Sequence, residues 1–516
     1  MLKNGWSFVY EGFDPDQEKL REALCTLGNG AFATRGAAPE TEADDTHYPG
    51  TYLAGGYNRL ATEINGNVVE NEDLVNMPNW LPLTFRIEGG EWFDLRQVDI
   101  LSYRQELDIK GGVLLRAIRF RDKAGHETSL TSRRFVHMAQ PHLAGLETIL
   151  TPVNWSGRLE IRSALDGRVE NDGVERYRRL AKKHIEPLET GTVGDNGIWL
   201  KVRTNQSRIE VAEAARTQVS IDGARIAPQR TVLQEDGYIA DDLAVDVREG
   251  GHVRIEKIVA LHSSKDRPTS ECGLAARQAI ERASDFDELI ESHALAWEHL
   301  WLRCNIDVIE GERTELILRL HIFHLLQTAS PNTIDRDVSV PARGWTGEAY
   351  RGHIFWDELF IFPFLNLRMP EITRSLLLYR YRRLNEARRN ASEAGYRGAM
   401  YPWQCSSDGR EESQKLHLNP RSGHWVPDNS QRQRHINVAI AWNIWQYYQV
   451  TGDTAFMHSY GAEMFLEIAR FWSSISHHNE ALDRYEILGV MGPDEYHDGY
   501  PDAAHPGGWT TTRTQT

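Results

Sequence analysis

Two kinds of periodicity divide the chain near residue 300. Before that point, short runs alternate polar and apolar positions, as in Arg158-Leu159-Glu160-Ile161-Arg162 and Val253-Arg254-Ile255-Glu256-Lys257, with Gly, Asn and Asp turns between them. Alternation with period two predicts antiparallel strands that keep one face wet. Because such runs recur across residues 1–270, a large antiparallel β-sandwich is expected there rather than a small barrel. Residues 271–305 change to a helical text that begins ECGLAARQAIERASDFDELIE, and a helical linker is expected. Beyond residue 306, apolar positions recur at helical spacing: Leu316, Leu320 and Phe323; Leu377, Tyr381 and Leu384; Val438, Trp442 and Trp445; and Phe465, Ile468, Ala469 and Trp472. Gly452 is placed to stop the third of these helices, and Asp428, Asn429 and Ser430 stand before it as N-caps. The stripes are expected to pack as core, Trp442, Trp445 and Trp472 included.

Length and charge narrow the function classes. A chain of 516 residues is long enough for two or three domains, each with a buried core. Its formal net charge of -16 disfavours a nucleic-acid groove or an anionic membrane as partner, since both need clustered Lys and Arg. Cys25, Cys272, Cys304 and Cys405 are scattered, without a CxxC pair, which predicts reduced thiols and a cytoplasmic setting. No uninterrupted apolar stretch is long enough to span a bilayer.

Chemistry concentrates in three loops between the helices: RGWTGEAYRGHIFWDELFIFPF from Arg343, AMYPWQCSSDGREESQ from Ala399, and GVMGPDEYHDGY from Gly489. A flat indole covers the apolar C–H face of a sugar ring, and carboxylates or amides bind its hydroxyls, so aromatics beside acids suit a carbohydrate. The bland alternative makes the Trp residues core and the acids solvated. For Trp356 and Trp403, flanked by Asp357 and Gln404, the sugar is favoured. Glycoside cleavage needs a protonated carboxyl near the leaving oxygen. Pro493 restrains the turn that presents Asp494 and Glu495, with Glu495 as the acid and Asp494 as its anchor.

RGWTGEAYRGHIFWDELF, YPWQ, HIN at His435 to Asn437, YEILGVMGPDEYH, and the N-terminal LGNGAFATRG from Leu27 to Gly36 occur in one order along the chain. Together they resemble glycoside hydrolase family 65, the family of maltose, trehalose and kojibiose phosphorylases and acid trehalases, as far as about Pro501. The resemblance implies a β-sandwich, a helical linker and an (α/α)6 barrel. It implies an inverting phosphorylase that takes an α-linked glucose disaccharide and inorganic phosphate and gives β-glucose 1-phosphate and glucose, with no metal or other cofactor. It assigns Glu495 as proton donor and places Trp356 and Asp357 on the glucose, with Arg351 and Trp403 as further members of that pocket. Glu358, where many members carry Thr or Ser, is expected to alter the acceptor subsite. A hydrolase of the acid trehalase type and a non-catalytic sugar-binding remnant are the alternatives.

In the family, residues lining the phosphate, a Lys-Gln pair among them, lie well downstream of the proton donor, whereas Glu495 is followed by twenty-one residues here. About five helices can be read between Glu312 and Ile487, against the six hairpins of a closed toroid, so residues 306–516 are expected to form an incomplete barrel with open apolar helix faces. A C-terminally truncated, inactive product is the expectation. A homodimer in which a partner chain completes the wall is the competing one.

Overall fold

A computed structural model describes residues 5–64, 66–309, 311–418, 422–492 and 511–512. The N-terminal part is built of antiparallel sheets, with one short helix, α1 (Glu18–Leu24), after the first strand. The largest runs in the order Ser7–Glu11, Asp99–Asp108, Val113–Arg121, Glu127–Val136, Leu143–Pro152, Val253–Ser263, Glu210–Ile221, Gly197–Thr204 and Ile185–Val193. Facing it is a four-stranded sheet of Gln229–Glu235, Tyr238–Val247, Gly157–Asp166 and Leu83–Ile87, and the two share one apolar core. In Gly157–Asp166 the alternation works as expected. Leu159 and Ile161 turn inward, while outside Glu160 meets Arg86 and Arg162 donates two hydrogen bonds of 2.7 Å to Asp242.

The strand Val253–Ser263 departs from its pattern. It lies between Leu143–Pro152 and Glu210–Ile221 in the middle of the large sheet. Its outer face is covered by helix α2 (Cys272–Arg282), whose Ala276 and Ile280 pack on Ala212, Ala214 and Ile258. Both faces are therefore dry, and Glu256 and Lys257 are buried rather than wet. Lys257 is satisfied by donating to the backbone carbonyls of Pro82 (3.0 Å) and Ala164 (2.7 Å). Helix α3 (Phe286–Cys304) follows, capped by Asp285, and sends Trp297 and Trp301 into the same core as Leu107 and Ile109. All four cysteines are buried and unpaired.

A third, four-stranded sheet, made of Leu27–Gly28, Phe32–Thr34 and the long hairpin Thr51–Ile64 and Asn67–Met77, reaches towards the helical part. That part contains α4 (Glu312–Thr328), α5 (Glu358–Arg368), α6 (Pro370–Arg382), α7 (Leu384–Glu393), α8 (Ile436–Thr451), a single turn α9 (Thr454–Phe456) and α10 (Ala462–Ile475). α5 packs on α6 and α8, and α10 on α7 and α8. The stripe Leu316, Leu320 and Phe323 of α4 is buried as read, and Gly452 ends α8 in a left-handed conformation.

Three readings are corrected. Asp428, Asn429 and Ser430 begin a separate 3-10 turn, and α8 starts only after His435. α8 buries Ile436, Ile440, Ile444 and Tyr447, so Val438, Trp442 and Trp445 form its exposed face, Trp442 at 50% and Trp445 at 41%. α10 buries Met464, Ile468, Phe471 and Ile475, which leaves Phe465 exposed and Trp472 half-buried. Helical spacing fixes a set of faces, but the neighbour decides which one is covered. Among the described residues no helix is long and apolar enough to cross a membrane.

Candidate active site

The first of the three loops is shaped by the sheet beneath it. Tyr350 and Arg351 both have left-handed backbones, φ 53° and 57°, and Gly352 follows at 67°. Such conformations cost non-glycine residues about 1–3 kcal/mol each and persist only where surroundings impose them. Here the strands Thr51–Ile64 and Asn67–Met77 impose them. Glu348 is buried and accepts hydrogen bonds from the hydroxyls of Tyr48 and Tyr52 and from the Gly173 N–H. Tyr57 donates to the Gly352 carbonyl at 2.6 Å, and His353 lies between the Glu72 carbonyl (2.7 Å) and the Gln404 side chain (2.9 Å). A β-carbon on Gly352 would sit 2.5 Å from Leu74, so only glycine allows this approach. Burial pushes the Glu348 carboxyl up to about 7, partly offset by the hydroxyls that favour its charged form.

The loop then delivers Trp356 and Asp357 to the N-terminus of α5. The second loop is paired to it by backbone hydrogen bonds between Ile354 and Cys405 in both directions, 2.8 and 3.0 Å. That pairing sets Trp403 6.0 Å from Trp356, centroid to centroid. The His435 ring stands 4.8 Å from Trp356 and 4.9 Å from Trp403. The backbone N–H groups of Trp403 and Gln404 are held by the Glu411 carboxylate, and Asn437 bonds both ways with the backbone of Tyr401.

Asp357 is half-buried beside Trp356, and burial raises its carboxyl above the usual range. It makes no side-chain cap to its helix; among the described residues its own backbone N–H and the more distant Arg343 charge are what favour the carboxylate. The ring nitrogens of His435 and both amide atoms of Gln433 are buried without a hydrogen bond of good geometry. Burial pushes the His435 imidazole down to about 4, which keeps it neutral. Unpaired donors and acceptors of this kind beside indole faces are suited to a polar ligand with an apolar face.

The remaining candidates divide. Glu358 is 1% exposed; Arg380 donates to it at 2.9 and 3.1 Å and Ser339 donates to its other oxygen, so it has no face left for an acceptor. Its role is internal: Arg380 also donates to the Phe355 carbonyl (2.9 Å), and the pair fixes the chain that carries Trp356 and Asp357. Arg351 is held by Asp73 at 2.6 Å and lies over the Tyr177 ring at 4.2 Å, on the side of Val69, Asn71 and Trp425. Of the third loop, Met491 donates its N–H to the Arg432 carbonyl at 3.0 Å, which brings Gly489–Gly492 beside His435. Glu495 and Asp494 lie outside the described residues.

Sequence reasoning gave no individual role to Tyr48, Tyr52, Asp73, Glu348, Arg380, Gln433 and His435, although Glu348 stands in the first loop and His435 opens the HIN motif. Arg380 left a further signal: it falls on the buried stripe of α6 with Ile372, Leu376 and Leu377, where a lone cation implies a buried anion.

Residues 8–300 match the glycosyl hydrolase family 65 N-terminal domain and residues 319–507 the family's central catalytic domain. An uncharacterized glycosyl hydrolase of Mycobacterium tuberculosis is 48% identical over 502 residues, covering 97% of this chain and 38% of the relative. A kojibiose phosphorylase of Halothermothrix orenii is 34% identical over 506 residues, 95% of this chain and 62% of the relative. A trehalose 6-phosphate phosphorylase of Lactococcus lactis is 34% identical over 511 residues, 97% and 63%. A solved structure of a candidate kojibiose phosphorylase from the human microbiome shares the fold with TM-score 0.81 at 22% identity, covering 95% of this chain and 62% of that one. The chain thus spans between 38% and 63% of the length of these relatives. With both family domains matched in order, the chain belongs to glycoside hydrolase family 65.

Proposed function

We propose that this chain carries the glucose-binding wall and the proton donor of an inverting phosphorylase, which cleaves an α-linked glucose disaccharide with inorganic phosphate to β-glucose 1-phosphate and glucose. The observation that carries the reading is the convergence of Trp356, Trp403 and His435 beside Asp357, whose carboxylate does not cap its helix. The indoles cover the C–H face of the ring, and Asp357 accepts from its hydroxyls. Glu495 follows Met491 by four residues and protonates the glycosidic oxygen as its bond to the anomeric carbon breaks. A phosphate oxygen forms the new bond from the opposite face, so the anomeric centre inverts and no protein base is required.

Relatives named for the phosphorolysis of kojibiose and trehalose 6-phosphate support phosphate as the nucleophile rather than water. The test is incubation with kojibiose, trehalose, trehalose 6-phosphate and maltose, with and without phosphate, following release of glucose (glucose 6-phosphate from trehalose 6-phosphate) and the phosphorus spectrum of the sugar phosphate. In a catalytically competent form of the protein, release that requires phosphate is expected; release that ignores phosphate would assign hydrolysis. Asp357→Ala should weaken glucose binding by about 1–3 kcal/mol, because the hydroxyls lose their acceptor. Unchanged affinity in that variant would remove Asp357 from the sugar site.

A further inference from the structure

Beside the sugar wall lies a basic rim that the chemistry above leaves unused. Residues 167–184, GRVENDGVERYRRLAKKH, join the strands Gly157–Asp166 and Ile185–Val193 and carry six Arg or Lys against three acids, so this stretch is cationic in a chain of net charge -16. The connector is seated on the group that holds the Trp356 loop: the Asp172 N–H donates to the Tyr48 hydroxyl at 2.9 Å and the Gly173 N–H to Glu348 at 3.0 Å. Arg178 and Lys182 are paired with Asp172. Arg176 is not. It donates to the Tyr177 hydroxyl at 2.8 Å, and its guanidinium lies over the rings of Tyr177 at 4.9 Å and Tyr350 at 5.6 Å. Arg343, from the first loop, lies over the same Tyr350 ring at 5.4 Å. Neither arginine forms an ion pair among the described residues, whereas Arg162, Arg254 and Arg380 each do. Two guanidinium groups drawn to one ring with no acid between them repel each other, and contact with the ring offsets only part of that cost.

The rim is continuous with the sugar wall. Tyr350 meets Phe355 edge-on at 5.3 Å, and Phe355 meets Trp403 in the same way at 5.4 Å. The Arg343 charge reaches Asp357, where it opposes the burial that raises that carboxyl. We propose that Arg176 and Arg343 bind a phosphoryl group carried by the sugar next to the bound glucose, so that the substrate is a phosphorylated disaccharide. The inference rests on the glucose site assigned to Trp356 and Asp357. A phosphate monoester is close to a dianion at neutral pH and offers three strong acceptor oxygens. Guanidinium forks match those oxygens two at a time, whereas a neutral disaccharide would leave both cations facing only water. The ester bond is untouched by the reaction. Inorganic phosphate remains the nucleophile, and the sugar released by protonation of the glycosidic oxygen leaves as a sugar phosphate.

The test is calorimetric titration of the chain with glucose, glucose 6-phosphate, trehalose, trehalose 6-phosphate and inorganic phosphate, at low and high salt. At least one phosphorylated sugar should bind more than about 10-fold tighter than its unphosphorylated parent, and added salt should shrink that gain. Arg176→Gln and Arg343→Gln should each cut the gain by at least about 3-fold with far-ultraviolet dichroism unchanged, and Arg176→Gln should leave glucose affinity as it was. Equal affinity for phosphorylated and plain sugars, or a gain that survives in both variants, would overturn the proposal. So would inorganic phosphate that binds as tightly as the phosphorylated sugars and is lost in the same variants, which would give the rim to free phosphate. Asp357→Ala separates this inference from the reading beneath it: if that variant keeps full affinity for glucose while the arginine variants still weaken the sugar phosphate, the glucose site is misplaced and the phosphoryl site stands.

Discussion

The sheet-rich and helical parts of the molecule treat their surfaces differently. On the sandwich, outward positions are occupied by paired charges: Glu147 is held by both Arg133 and Arg254, Arg162 by Asp242, and the Trp92 ring lies between the guanidinium groups of Arg86 and Arg162, each 4.6 Å away. Large apolar side chains are mostly turned inward there, and α2 and α3 cover what the sheets leave open. On the helical part, Phe360 and Leu367 of α5, Val438, Trp442 and Trp445 of α8, and Phe465 and Leu466 of α10 face outward. A sheet pairs its backbone and covers its face within one unit, whereas a helix satisfies its backbone alone and relies on neighbours for its apolar stripe. The helical part is thus the less self-sufficient of the two, although it carries the proposed sugar site. The sheet-rich part compensates locally, gripping the loop that carries Trp356 through Tyr48, Tyr52, Tyr57 and Asp73.

The sharpest test of where activity resides is Glu495→Gln in a catalytically competent form of the protein. It keeps the side-chain shape and removes the proton, so turnover should fall about 10²- to 10⁴-fold with sandwich stability untouched. Parent-level turnover of the disaccharide would refute the assignment. Next in size is Arg380→Met, which strands Glu358 as a buried unpaired carboxylate and should destabilise the helical part by about 3–5 kcal/mol. Denaturant unfolding followed by tryptophan fluorescence and dichroism would show this. An equal loss across the sandwich would mean that the two parts unfold as one unit.

Glu348 probes the grip between them through pH. Its carboxyl is raised to about 7 from an ordinary 4.5, so the folded state holds the proton more tightly than the unfolded chain. The resulting stability is fully present below about 4.5 and is lost as pH rises through about 7, at roughly 1 kcal/mol per pH unit. Glu348→Gln should lack that slope; denaturation midpoints between pH 5 and 8 that run parallel in both proteins would contradict the shift. The smallest effect is expected at Trp442 and Trp445. Replacement of either by Ser should change stability by no more than about 0.5 kcal/mol and reduce binding of a hydrophobic dye. A loss above about 2 kcal/mol would show that this face is covered in solution.

What the amino-acid order determined was short in range. Alternation in Arg158–Arg162 placed Leu159 and Ile161 inside, Gly452 ended its helix, and the Trp-rich loops marked the wall formed by Trp356 and Trp403. Each rests on a few neighbouring residues or on a contiguous motif. Tertiary structure decided the rest. The face of α8 that is buried depends on α5, α6 and α10, and so Trp442 and Trp445 lie outside despite helical spacing that also fits core. Lys257 is buried because it points into the core between the sheets, where the Pro82 and Ala164 carbonyls receive it, although its strand's pattern expected water. Glu358 is internal because Arg380, twenty-two residues away, reaches it, and Arg351 is turned aside by Asp73, 278 residues away in sequence. Periodicity gives spacing along one element, but burial and charge pairing are settled by surfaces that meet only after the chain has folded.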